Sequence, residues 1–184
     1  MISLNYSISK EDYVNYYTFV LWDGPANRKK RVIYYLRQLV PLLIFVFAFY
    51  YTGIFERNSK FTLLIIGFIF LTSILSFVGV RSNTAKRAHQ ITDDPGNSSI
   101  FNEMSMIVSE TGIALRTDLI ESKYQWKSFI KKQENKDYFF LFTSSIQALI
   151  IPKRIFNVSE RAQFEKLLSQ YLSFDAEIGH LMKS

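Results

Sequence analysis

Two stretches of the chain carry no charge, and they organise the rest. Residues 61–80 form a run of 20 in which fourteen are Phe, Leu, Ile or Val. At about 0.3–0.6 kcal/mol each, these residues favour membrane insertion by roughly 4–8 kcal/mol. A helical rise of about 1.5 Å per residue makes the run about 30 Å long, the thickness of a bilayer's hydrocarbon core. Residues 39–55 form a second uncharged run of 17. Ile33, Tyr34, Tyr35 and Leu36 extend it backward by a turn, with Arg37 placed to snorkel to the interface. Pro41 is expected near the start of this span, and Tyr50 and Tyr51 approach the far interface, where amphipathic rings are favoured. Only Glu56, Arg57, Asn58, Ser59 and Lys60 separate the two runs, which predicts an antiparallel hairpin with spans 33–55 and 61–80.

Outside the runs the periodicity changes. Ile2, Leu4, Tyr6 and Ile8 alternate with polar residues and predict a strand. Ser9 and Asp12 resemble a capping box. Tyr13, Tyr16, Tyr17 and Val20 then follow at helical spacing until Asp23-Gly24-Pro25 ends the helix. This helix either lies on a bilayer or packs on the protein's own polar portion, and its acidic Glu11 and Asp12 favour the second. Residues 82–100 read as a linker, turn-rich after Asp93. From Phe101 onward, six short strands are separated by polar turns, the pattern of an antiparallel meander. Ser159 is the expected N-cap of a closing helix whose Phe164, Leu167, Leu168, Tyr171 and Leu172 share one face. Residues 173–184 read as a tail.

The whole chain has 184 residues, a net charge of +6, 16% aromatic residues and no cysteine. The composition excludes a disordered or collagen-like chain, disulfides and cysteine chemistry. The positive charge at first suggests nucleic acid. Yet eight basic residues sit at the ends of the apolar runs: Arg28, Lys29, Lys30, Arg31 and Arg37 before the first, Arg81, Lys86 and Arg87 after the second. The remainder nets −2, so nucleic acid is set aside. Against these eight, the connection offers only Arg57 and Lys60, so both termini are expected in the cytoplasm. The same cations attract anionic headgroups at about 1 kcal/mol each. No cleavable signal is expected, and the three Asn-x-Ser/Thr tripeptides read as chance.

Catalytic and metal-binding patterns are sparse. Neither His89 nor His180 has another histidine at ligand spacing, and His89 with Asp93 and Asp94 lacks a fourth ligand; no glycine-rich phosphate loop occurs, and no catalytic, cofactor-binding or metal residue is nominated. The runs contain no Asp, Glu, Lys, Arg or His for an ion relay. Thr72 and Ser76 mark a candidate helix-packing face. One cationic group stands out in the strand-rich region: Lys127, Lys131, Lys132 and Lys136, with Lys153 and Arg154. These six form either a face for anionic headgroups or an acidic partner, or a lysine-protected strand edge. Trp126 is expected in the core.

The stretches Trp126-Lys-Ser-Phe-Ile, Asp137-Tyr-Phe-Phe-Leu-Phe, Ala148-Leu-Ile-Ile-Pro-Lys-Arg-Ile-Phe156 and Phe164-Glu-Lys-Leu-Leu168 resemble the YcxB-like family of bacterial membrane proteins. The likeness covers about residues 100–172, and Ile-Pro-Lys-Arg-x-Phe at 151–156 carries it most clearly. It implies a two-span protein with a small cytoplasmic domain similar to bacterial pleckstrin-homology-like modules, and supplies no catalytic residue.

The sequence therefore predicts an α+β membrane protein of the bacterial cytoplasmic membrane. Its expected parts are residues 1–31 (strand and amphipathic helix), 32–81 (hairpin), 82–100 (linker), 101–172 (β domain) and 173–184 (tail). The β domain is expected to be pleckstrin-homology-like, with about seven strands, counting that at the N-terminus, closed by the C-terminal helix. The expected role is a non-enzymatic, membrane-tethered binding module without a cofactor. Its expected partners are the lipid bilayer with its anionic headgroups, another membrane protein, or a second copy. A membrane-surface enzyme and an accessory subunit of a transport complex are the alternatives.

Overall fold

A computed structural model describes residues 1–51, 53 and 59–172. Most of the connection between the apolar runs, including Glu56, Arg57 and Asn58, and the tail with His180 lie outside the described residues. The chain divides into two compact units, Met1–Tyr16 with Ile91–Ser184, and Tyr17–Gln90.

Among its described residues the first unit is built on seven strands: β1 (Ile2–Tyr6), β2 (Met104–Ser109), β3 (Gly112–Arg116), β4 (Glu121–Gln125), β5 (Lys131–Glu134), β6 (Tyr138–Phe142) and β7 (Ala148–Pro152). They form a four-stranded antiparallel sheet in the order β1-β2-β3-β4 and a three-stranded antiparallel sheet in the order β5-β6-β7. The N-terminal strand thus joins the C-terminal ones, Ile2 opposite Val108 and Tyr6 opposite Met104. Alternation dictates the pairing: Ile2, Leu4 and Tyr6 turn inward with Met104, Met106 and Val108, while Ser3 and Asn5 face out. β6 reads Tyr-Phe-Phe-Leu-Phe without alternation and is buried throughout, as a central strand covered on both faces should be.

The expected meander breaks between β4 and β5. The segment Trp126–Ser128 makes a 3₁₀ turn and Phe129 is buried beside it, so β5 begins at Lys131 and pairs with β6. Trp126 anchors this corner as expected. It is buried, donates from its indole N–H to Ser109 O at 3.0 Å, and stacks on Tyr171 at 5.4 Å. In the β2–β3 turn, Gly112 holds φ +149°, and a Cβ there would lie 2.0 Å from Tyr124 O.

A C-terminal helix, residues Val158–Tyr171, closes the unit. Phe164 and Leu168 are fully buried, and Phe164 packs against Phe156 at 4.9 Å and Phe139 at 5.4 Å. Its cap is Asn157, not Ser159. Asn157 accepts from the Glu160 amide and Glu160 accepts from the Asn157 amide, at 2.8 and 3.0 Å, a reciprocal box that Ser159 lacks the following glutamate to form.

The helix α1 (Lys10–Thr18) follows β1. Its start is the reciprocal pair of Ser9 and Asp12: the Ser9 amide donates to Asp12 Oδ2 at 2.8 Å and the Asp12 amide to Ser9 Oγ at 3.1 Å. Tyr16 lies 5.7 Å from Phe140, so this helix packs on the protein's own sheet.

In the second unit, a π-helical turn (Phe19–Asp23) and a 3₁₀ turn (Pro25–Asn27) lead into α2 (Arg28–Tyr51). α2 begins at Arg28, before the apolar run, so Pro41 stands in the interior of the helix. The second long helix, α3 (Ser59–Asp93), has 35 residues. It continues past Val80 to Asp93, so residues 82–93 are helix where a linker was expected. No proline or glycine interrupts residues 80–94, and Pro95 follows at once. The ion pair of Arg81 with Asp23, 3.2 Å, brings α3 back to the level at which α2 begins. At about 1.5 Å per residue both stretches run over 30 Å, so the helices point in opposite directions.

Candidate functional site

The six cations of the strand-rich region do not form one free face. Lys127 and Lys136 are exposed. Lys131 lies 5.7 Å above the Phe142 ring, and burial lowers the pKa of Lys132. Lys153 is turned inward: it donates to Asn135 O at 2.6 Å, pairs with Glu134 at 3.5 Å and sits 4.6 Å over the Phe139 ring. Arg154 is committed elsewhere.

Its partner is Asp12, across 142 residues of chain. Arg154 Nη1 and Nη2 donate to Asp12 Oδ1 and Oδ2 at 2.7 and 2.6 Å, a two-pronged, charge-assisted contact. The Tyr138 hydroxyl donates to Asp12 Oδ1 at 2.8 Å, and Asn15 Nδ2 donates to Tyr138 Oη at 3.3 Å. The Asp12 side chain is 3% exposed and that of Arg154 56%. Burial pushes the Asp12 pKa up, but the hydrogen bonds from Arg154, Ser9 and Tyr138 outweigh it and hold it at about 2. Arg154 is correspondingly raised by Asp12. An acid so depressed is a poor proton acceptor at neutral pH, and its four acceptor contacts occupy it fully.

Two tyrosines extend the seam. The Tyr16 hydroxyl donates to Ile146 O and accepts from the Ala148 amide at 3.1 Å. The Tyr6 hydroxyl donates to Ile150 O at 3.3 Å. Burial raises both phenols' pKa. Together these contacts fasten the N-terminal strand and helix to β6 and β7. Sequence spacing revealed only the Ser9–Asp12 part, because Arg154 and Tyr138 lie more than 120 residues away.

A second polar region is an open depression of about 520 Å³ lined by Asn5, Glu103, Ser105, Arg116 and Asp118 among others. Among the described residues no three His, Cys, Asp or Glu side chains gather as a metal site.

The flanking cations belong to the second unit. Arg31 donates to Trp22 O and, at 3.0 Å, to Gly24 O. Trp22 meets Tyr34 and Tyr35 edge-on at 5.6 and 6.2 Å. Arg31 and Arg81 therefore brace the 22–24 turn, while Arg28, Lys29, Lys30, Arg37, Lys86 and Arg87 are exposed. Beyond them the helices show apolar side chains to the outside, Leu64 71% and Phe68 68% exposed among them. Both are long and apolar enough to cross a membrane.

Residues 108–168 match the family model of YcxB-like proteins. The YcxB-like segment spans β3 to β7 and most of the closing helix, and contains Tyr138, Lys153 and Arg154. Asp12 lies outside it, so the ion pair joins the YcxB-like segment to the N-terminal strand and helix. Neither the curated proteins nor the solved structures contain a match to the chain.

Proposed function

We propose that this is a non-enzymatic module anchored in the bacterial cytoplasmic membrane by its helical hairpin, with both termini cytoplasmic. The exposed apolar surface of the two long helices carries this reading. In water such a surface would be a severe aggregation hazard, and lipid is the solvent it suits. The eight basic residues at the helix ends, against two in the connection, support the orientation.

Seven strands in two antiparallel sheets with a closing C-terminal helix support a pleckstrin-homology-like domain. Such a domain at the cytoplasmic face holds a binding surface within reach of membrane-embedded proteins. The occupant we propose is a protein partner. With Lys153 turned inward and Arg154 paired to the buried Asp12, the cationic surface is too divided to favour headgroups as the main ligand. In-cell crosslinking of the full chain, with identification of the crosslinked species, tests this reading. A reproducible membrane-protein partner is the expected result. No crosslinked protein, together with strong binding of the purified chain to anionic but not neutral vesicles, would replace it with headgroup recognition.

A further inference from the structure

The order β1-β2-β3-β4 leaves β4 on the edge of its sheet, and among the described residues β3 is the only strand that pairs with it. The other edge strand, β1, meets the Lys153–Ile155 turn and the closing helix. The Thr117 amide donates to Ile120 O at 2.8 Å, so Ile120 turns its carbonyl toward β3. Along an antiparallel strand this direction alternates. Ser122 and Tyr124 therefore bond to β3, while Glu121, Lys123 and Gln125 present their amides and carbonyls outward. Glu121 and Lys123 pair with each other at 2.9 Å on the exposed face. Tyr124 and Ser122 stand opposite Ile113 and Leu115 on the other face.

An edge lysine ordinarily blocks pairing with another chain. In β4 it selects a register. Two copies related by a two-fold axis pair antiparallel, and matching faces require the axis to pass through a residue. An axis at Lys123 sets the two lysines directly opposite each other, and one at Glu121 does the same to the glutamates; both are unfavourable. An axis at Tyr124 pairs Lys123 with Gln125 and leaves Glu121 and the apolar Leu119 and Ile120 uncovered. An axis at Ser122 satisfies every position. Glu121 then stands across from Lys123 of the second copy, and Lys123 across from its Glu121. These are the residues with outward backbone groups, so each pair exchanges both backbone hydrogen bonds. Ile120, 63% exposed, meets Tyr124 of the second copy, and Leu119, 81% exposed, meets its Gln125.

We infer that β4 is a self-pairing edge, to which a second copy of this chain adds its own β4 antiparallel about Ser122. This names the protein partner of the reading above and rests on that reading for its affinity. One short strand falls below the about 800 Å² per partner of a stable interface. Two copies tethered in one membrane meet at a raised effective concentration, which supplies the difference without further contacts.

The chain has no cysteine, so each engineered cysteine stands alone. Residues directly opposed at a non-hydrogen-bonded pair lie about 4.5 Å apart at Cα, within disulfide range. Full-length S122C in bacterial membranes, oxidised with copper phenanthroline, should form several-fold more disulfide dimer than V158C, at a residue 90% exposed on the closing helix. K123C should not, because the two copies of position 123 meet only on the diagonal, about 7–8 Å apart. E121K or K123E added to S122C should each cut the dimer several-fold, and co-expression of the two under different tags should restore it as the mixed dimer. Dimer in K123C but not in S122C overturns the inference, as does S122C dimer indifferent to both charge reversals. S122C dimer no greater than that of V158C, with the chain in the membrane fraction, overturns self-pairing and leaves the anchored module standing. Recovery of the chain in the soluble fraction removes the tether and overturns both.

Discussion

Replacing Arg154 by alanine should loosen the N-terminal strand and helix while leaving the rest of the first unit folded. Arg154 gives Asp12 two charge-assisted bonds of 2.7 and 2.6 Å, and its removal leaves the buried carboxylate with Ser9 and Tyr138 alone. Breaking a fully buried pair from one side costs about 3–5 kcal/mol, and an exposed pair contributes at most about 1 kcal/mol. With Asp12 buried and Arg154 half in solvent, the cost falls between, about 2 kcal/mol. The lowered pKa agrees. A fall from 3.8 to about 2 corresponds to roughly 2 kcal/mol at neutral pH, which screening at the exposed guanidinium reduces to roughly 1–2 kcal/mol. Hydrogen exchange of the full chain in nanodiscs reads this directly. Amides of β1 and α1 should exchange about thirtyfold faster if the loss is 2 kcal/mol, with those of β6 little changed. Arg154→Lys should recover only part, because an ammonium cannot reproduce the fork. Unchanged protection in Arg154→Ala would refute the reasoning, as would full recovery by lysine.

Three further outcomes follow from the same structure. Because the folded-state pKa of Asp12 lies below its ordinary value, its contribution is complete above about pH 4 and lost as pH falls toward 2; an acid titration followed by exchange or circular dichroism should show a shallower acid limb in Asp12→Asn. Gly112→Ala sets a Cβ against Tyr124 O at a φ of +149°, so denaturant unfolding should reveal a loss of at least about 1–3 kcal/mol. Phe164→Ala empties a fully buried site between Phe139 and Phe156 and should cost about 3–5 kcal/mol in the same assay, with loss of the Trp126 fluorescence environment.

Local pattern exposed much of this fold. The alternation at Ile2, Leu4 and Tyr6 marked β1, and its joining the later strands followed from the expectation that both termini lie on one side of the apolar runs. The i, i+3, i+4 spacing of Phe164, Leu167 and Leu168 marked the closing helix, and Trp126 was legible as a core anchor. Three features were not. The helix α3 outran its apolar stretch because helix stop signals, not hydropathy, end a helix, and the first arrives at Pro95. Ser159 looked like the cap because the Asn157–Glu160 reciprocity competes with it at a spacing of two. The six-cation face dissolved because nothing local tells a solvated lysine from one that, like Lys153, folds back over Phe139, or an arginine that meets an aspartate 142 residues away. The Asp12 seam is a product of tertiary structure, and each of its members looks ordinary alone.

The central claim, an anchor with both termini on the cytoplasmic side, is tested most directly by labelling single cysteines with a membrane-impermeant maleimide in bacterial cells that make the full chain. N58C, in the connection between the apolar runs, should react in intact cells, and V158C, in the YcxB-like segment, only after the membrane is permeabilised. Labelling of V158C in intact cells with N58C protected would reverse the orientation, and recovery of the chain in the soluble fraction would contradict the anchor itself.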